Sequence, residues 1–127
     1  RKVAEARDGD EIEVWGDGSA IRSYTYIDDM TDGLYRLMHS DLEGAVNIGC
    51  PQYVSVNELV DTVAEVAGKK INVRHIDGPV GVQSRNFSNE RIYSIGWKSR
   101  FPLKEGIELT YPWVEQQVKM AREKEGV

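Results

Sequence analysis

The chain has 127 residues, 40% of them hydrophobic and 29% charged, and carries a net charge of −5 at pH 7. That length and balance suit one domain over residues 1–127, and the acidic excess excludes a broad nucleic-acid-binding face, which needs positive charge. Cys50 is the single cysteine, which excludes an internal disulfide and fits a reducing, cytoplasmic setting. No apolar run approaches the ~20 residues of a membrane span, so no membrane partner is expected.

In chain order, residues 1–7 have helical composition, and Asp8-Gly9-Asp10 reads as a turn. Glu11 to Trp15 alternates polar and apolar residues at strand period. Gly16-Asp17-Gly18-Ser19 has the residues of a tight hairpin turn. The next strand is expected over Ser23 to Ile27, with Tyr24 and Tyr26 on one face. Asp28 or Asp29 then caps a helix bearing Met30, Leu34, Leu37 and Met38 at helical spacing.

Ala45 to Gly49 reads as a short buried strand. Ser55-Val56-Asn57-Glu58 is a capping box, in which the serine oxygen and the glutamate satisfy opposite backbone N–H groups. The helix behind it ends at Gly68 in left-handed geometry. Ile71, Val73 and His75 alternate in another strand. Residues 77–88 form a loop rich in glycine, proline and polar residues, too long for a simple connection. A short helix ends near Gly96, and a last helix runs from Leu103 to about Lys124 with Pro112 inside it.

Two arginines lead the candidates for chemistry. Arg22 follows the turn and precedes a strand, where a guanidinium can fork onto two oxygens of a diphosphate. Its plainer alternative is a surface pair with Asp17 or Asp28. Arg85 lies in the long loop among Gln83, Ser84 and Asn86, small polar neighbours suited to sugar or ribose hydroxyls. The alternative there is a solvated loop side chain. On opposite sides of a cleft the two forks would balance the charges of a nucleotide diphosphate.

Other residues carry less. His39 and His75 have no ligand partner at metal-binding spacing. Cys50 reads as a small core residue, and Trp15, Trp97 and Trp113 as core. Asp28 and Asp29 are acid/base candidates, with helix capping the simpler role for at least one. The glycines of Gly16-Asp17-Gly18 lack the third glycine and the strand–turn–helix context of a dinucleotide fingerprint.

Trp15 to Gly18, Arg22 to Asp28, Asn47-Ile48-Gly49, Val54 to Leu59, Ile95 to Trp97 and Pro102 to Ile107 stand in an order that resembles the extended short-chain dehydrogenase/reductase family. These are the NAD-dependent sugar-nucleotide epimerases and dehydratases, and the resemblance runs from Glu13 to about Glu123. The loop Gly78 to Asn86 is most similar to the branch that epimerises GDP-mannose. The resemblance implies an α/β fold, α+β in isolation: a small mixed sheet with helices, forming the substrate-binding C-terminal part of a Rossmann-type epimerase.

It also implies that Arg85 and Arg22 contact the diphosphate of a GDP-sugar, with Ser84 and Asn86 beside them. NAD belongs to the complete enzyme, and this chain is expected to bind none. None of Tyr24, Tyr26, Tyr35, Tyr53, Tyr93 and Tyr111 has a lysine four residues on, so the family's catalytic pair is missing and no catalytic residue is assigned. The expected partner is an N-terminal Rossmann half. It would dock on a face formed by Leu34, Leu37, Met38, Val46 and Ile48, which left bare favours self-association. The alternative function is a stand-alone, non-catalytic interaction module that pairs with another chain.

Overall fold

The computed structural model describes residues 1–126. Its elements are α1 (Lys2–Glu5), β1 (Glu11–Trp15), β2 (Ile21–Ser23), α2 (Ile27–Met38), β3 (Tyr53–Ser55), α3 (Val56–Ala67), β4 (Asn72–Ile76), α4 (Glu90–Tyr93) and α5 (Leu103–Glu125).

The strands form two separate pairs where one small sheet was expected. β1 lies parallel to β4, with Glu11 opposite Asn72 and Trp15 opposite Ile76. β2 lies antiparallel to β3, with Arg22 opposite Val54. The turn at Gly16 and Gly18 is real, and both glycines have positive φ (71° and 75°). It joins two different sheets, so β1 and β2 do not make a hairpin. Gly18 must be glycine for a second reason: a Cβ there would stand 1.9 Å from Asn57 Oδ1.

Alternation in β1 buries Ile12 and Val14 and exposes Glu11, Glu13 and Trp15. On the outer face Arg74 of β4 bridges both glutamates, with its Nε 2.7 Å from Glu11 Oε1. On the inner face Ile12 joins Val3 and Ala4 of α1 and Tyr111 and Val118 of α5 in the main core, flanked by Val60, Val63 and Val73. Lys69 ties the layers together, donating to the carbonyls of Val3 (2.9 Å), Ala4 (3.3 Å) and Ala6 (2.8 Å) at the open end of α1.

The capping box of α3 forms as expected. Ser55 Oγ accepts the Glu58 N–H at 3.1 Å, Glu58 Oε2 accepts the Ser55 N–H at 2.6 Å, and Gly68 closes the helix with φ 64°. α5 runs unbroken through Pro112, an exposed position where water can reach the carbonyl that loses its donor.

Four expectations need correction. β2 ends at Ser23, and Ile27 already belongs to α2, because the backbone from Tyr24 to Tyr26 has no ladder partner. Neither Asp28 nor Asp29 caps α2, whose cap position is Tyr26 without a side-chain hydrogen bond. Residues 45–49 form no strand, since no described strand lies beside them. Side chains serve their carbonyls instead, Arg91 bonding Ala45 and Asn89 donating to Gly49 at 2.7 Å. Of the three tryptophans only Trp97 is core, fully buried, whereas Trp15 and Trp113 are 55% and 63% exposed. Trp15 sits on the outer face of β1, and Trp113 faces away from the core on α5.

Outside the main core Trp97, Ile92, Cys50 and Asp29 are also buried. The indole Nε1 of Trp97 donates to the Asp29 carbonyl at 2.9 Å. Gly33 makes room for that ring, since a Cβ would lie 3.1 Å from Nε1 and 2.8 Å from Ile48 Cγ2.

Candidate functional site

The loop of residues 77–88 contains no helix or strand and folds back onto the start of β2. The Ile21 N–H donates to the Gln83 carbonyl at 2.8 Å, and Gln83 Nε2 donates to Ser19 Oγ at 2.9 Å. Ser19 is itself held by Asp17, whose Oδ1 accepts the Ser19 hydroxyl at 2.6 Å and its N–H at 2.9 Å. The Ser19 hydroxyl and then its N–H hold the Asp17 carboxyl below its ordinary range.

Arg22 grips this loop. Its guanidinium donates to the carbonyls of Val82 at 2.6 Å, Ile21 at 2.7 Å and Val80 at 3.2 Å, with Gln83 O at 3.5 Å. It pairs with neither Asp17 nor Asp28. Its donors point at backbone carbonyls and organise the loop that carries the second arginine. The Arg22 guanidinium is thus engaged by the same loop that carries Arg85.

Beside it, burial raises the Tyr24 hydroxyl above its ordinary pKa, and the Arg22 charge opposes that rise.

Arg85 sits two residues beyond the Gln83 anchor. It is exposed, and its guanidinium has no hydrogen bond or ion pair among the described residues. Ser84 and Asn86 flank it, also exposed. Asn86 Oδ1 lies 3.4 Å from the Tyr53 hydroxyl, which places Asn86 at the far anchor of the loop. An unpaired guanidinium on a segment held at both ends can take an anion without first breaking a protein contact. A surface groove of about 650 Å³ runs between α1 and the C-terminal half of α5, lined by Glu5, Trp113, Val118 and Arg122.

The remaining candidates take structural roles. Asp29 is fully buried and accepts four hydrogen bonds: the N–H groups of Arg100 (2.8 Å) and Phe101 (3.0 Å), Arg100 Nε (2.9 Å) and Ser99 Oγ (3.2 Å). Burial pushes its carboxyl up. The Phe101 N–H, the Arg100 guanidinium and N–H and the Ser99 hydroxyl outweigh that and hold it below the ordinary range. A carboxylate so saturated is a tether between α2 and the entry to α5.

His75 Nε2 lies 3.0 Å from Asn57 Oδ1, and His39 Nδ1 lies 2.9 Å from the Tyr35 carbonyl. Among the described residues no three His, Cys, Asp or Glu side chains cluster as metal ligands. Cys50 is buried and unpaired with another cysteine. The Gly16–Gly18 turn leads into β2 rather than a helix, so it offers no helix N-terminus to a cofactor pyrophosphate. Sequence reasoning missed Tyr53, because its partners lie more than thirty residues away and no local pattern marks such a contact.

The fold is that of one part of the Rossmann-type sugar-nucleotide epimerases. It superposes with a TM-score of 0.81 on the UDP-glucose 4-epimerase of Thermotoga maritima, at 23% identity, over 93% of this chain and 38% of that one. The corresponding values for the UDP-glucuronic acid 4-epimerase of Bacillus cereus are 0.76, 20%, 83% and 35%. In sequence, the model of the NAD dependent epimerase/dehydratase family matches residues 1–49.

GDP-mannose 3,5-epimerase of Arabidopsis thaliana is 41% identical over 116 residues, which is 91% of this chain and 31% of that protein. A probable GDP-L-fucose synthase of Oryza sativa subsp. japonica is 36% identical over 122 residues, 94% of this chain and 37% of that protein. The chain is thus similar to the NAD dependent epimerase/dehydratase family, by that family's model over residues 1–49 and by these two relatives over about nine-tenths of its length. It spans about a third of the length of the curated relatives it matches. No helix among the described residues is long and apolar enough to cross a membrane.

Proposed function

We propose that this chain is the nucleotide-sugar-binding C-terminal part of an NAD-dependent epimerase that acts on a GDP-sugar in the manner of GDP-mannose 3,5-epimerase. Arg85 is assigned to the diphosphate, with Ser84 and Asn86 offering hydrogen bonds beside it. Arg22 orders the loop from behind through its two terminal nitrogens, and its Nε–H, which those carbonyls do not engage, is assigned a secondary contact to the diphosphate. The observation that carries this reading is the exposed, unpaired Arg85 on a loop anchored at both ends.

The chain's own contribution is binding and orientation. Cofactor binding and proton transfer are assigned to the remainder of the protein, because the glycine turn here does not fit NAD and no tyrosine is followed by a lysine four residues on. The exposed side chains of Ile27, Leu34, Tyr35 and Met38 on α2 are assigned as the seat of that remainder. The length of the curated relatives supports an occupant of this kind.

The test is calorimetric titration of the native gene product containing this chain with GDP-mannose. Arg85→Ala should weaken binding about tenfold, as loss of a charge-assisted contact does. Equal affinity in the variant rejects the site. A native product with no dinucleotide-binding part, and no affinity for GDP-mannose, would instead favour the interaction module.

A further inference from the structure

The Arg85 segment is restrained on its far side by Tyr53, which comes from β3 and is half-buried. The Tyr53 and Phe87 rings pack with centroids 5.6 Å apart. The phenolic oxygen accepts the Phe87 N–H at 3.3 Å. Its single proton has two acceptors in reach, Asn86 Oδ1 at 3.4 Å and the Phe87 carbonyl at 3.5 Å. Phe87 in turn fills the space above Gly49, where a Cβ would stand 2.4 Å from the ring. One hydroxyl therefore restrains the backbone immediately after Arg85, as Arg22 restrains it at residues 80–83 before.

We propose that Tyr53 is a positioning residue for diphosphate recognition and acts through Arg85. The inference rests on the assignment of Arg85 given above. A long arginine side chain on an exposed loop loses both rotamer and backbone freedom when it binds an anion. Fixing residues 86 and 87 in advance removes the backbone share of that cost. The Tyr53 hydroxyl touches the loop and leaves the guanidinium free, so its effect on a ligand must pass through the loop.

The experiment is a double-mutant cycle on the native gene product containing this chain, titrated with GDP and separately with guanosine. Tyr53→Phe should weaken GDP binding about three- to tenfold, the worth of one hydrogen bond, and leave guanosine binding unchanged. Arg85→Ala should weaken GDP binding at least as much. In the Arg85→Ala background, Tyr53→Phe should cost nothing further. Additive losses overturn the proposal, as does a Tyr53→Phe variant that binds GDP like the parent or loses guanosine equally.

If Arg85→Ala alone has no effect, the underlying site assignment fails with it. A loss in Arg85→Ala without one in Tyr53→Phe removes only the role of Tyr53. The phenylalanine keeps the ring packing, so the melting midpoint should hold. If it does not, Gly49→Ala, which displaces Phe87 and spares the hydroxyl, takes the place of Tyr53→Phe in the same cycle with the same expectations.

Discussion

Asp29, in the first turn of α2, accepts the N–H of Phe101 at 3.0 Å across 72 residues of chain. With the Arg100 N–H and guanidinium and the Ser99 hydroxyl, this fills the lone pairs of a carboxylate that water does not reach. The bond aligns the segment before α5 against α2, and the Trp97 indole seals it by donating to the same residue's carbonyl. Asp29→Asn keeps the shape but turns an NH₂ toward a set of groups of which only the Ser99 hydroxyl can accept. The expected loss is about 3 kcal/mol, the range for breaking a buried charged network, or roughly 10 °C in melting midpoint. Urea unfolding measures it directly. A loss within experimental scatter would mean that the segment before α5 is held by Trp97 alone.

The same carboxylate makes stability depend on acid. Asp29 titrates below its ordinary range in the folded chain, whereas in the unfolded chain it titrates near ~3.9. The unfolded state therefore takes up the proton first as pH falls. The stabilisation is fully present above about pH 5 and disappears as pH drops through the folded value. Glu58 adds in the same direction, lowered by the Ser55 N–H and hydroxyl. The urea midpoints of the parent and Asp29→Asn should begin to approach each other as pH falls below about 5 and meet only below the folded value, and a constant gap would contradict the assignment.

Gly33 allows α2 to lie close to Trp97 and Ile48. Gly33→Ala gains helix propensity of about 1 kcal/mol but drives a methyl to 2.8 Å from Ile48 Cγ2 and 3.1 Å from Trp97 Nε1. Overpacking of this kind costs about 1–3 kcal/mol, so a net loss near 1 kcal/mol is expected in thermal unfolding. A gain would show that the strandless segment around Ile48 yields without resistance.

What sequence reasoning reached and what it missed divide along the range of the interactions. The Ser55–Glu58 box and Gly68 are local signals, written within a few residues, and α3 has the expected ends. The alternation of Ile12 and Val14 is equally local and places β1. The strand expected at residues 45–49 failed because a strand needs a partner, and the apolar run in Ala45 to Gly49 says nothing about whether one lies beside it. Asp29 failed for a related reason. An aspartate at a helix start has an obvious local role as a cap, while its actual donors sit at residues 99–101. Arg22 and Arg85 stand out in the sequence by their neighbours, but the hold of the loop on Arg22 does not, because the carbonyls it bonds lie about sixty residues away.

The capping box offers a clean control on this reasoning. Ser55→Ala removes the acceptor for the Glu58 N–H and leaves the first turn of α3 open, and loss of such a cap costs about 1 kcal/mol. β3 leads directly into that cap, so fraying there should reach the β2–β3 pair. Amide exchange should quicken at Val56, whose N–H bonds the Ala20 carbonyl, and at Asn57, whose N–H bonds Gly18. Exchange confined to the interior of α3 would separate the helix from the site.

The exposed face of α2 is tested by what it does when it is left uncovered. Met38 is 80% exposed, Tyr35 63% and Ile27 61%, on a helix whose other side is buried against Trp97. A patch of that composition associates unless something covers it. The 127-residue chain alone should therefore sediment with a concentration-dependent increase in mass. Met38→Glu should shift that association to at least about tenfold higher concentration, equivalent to ~1.4 kcal/mol. It should change the stability of the isolated chain by no more than about 0.5 kcal/mol, as expected for an exposed site. In the native gene product the same substitution should instead lower the melting midpoint if the proposed remainder covers this face. If the isolated chain stays monomeric throughout, or if Met38→Glu leaves the native product untouched, α2 faces solvent in both states. The covering part must then dock elsewhere.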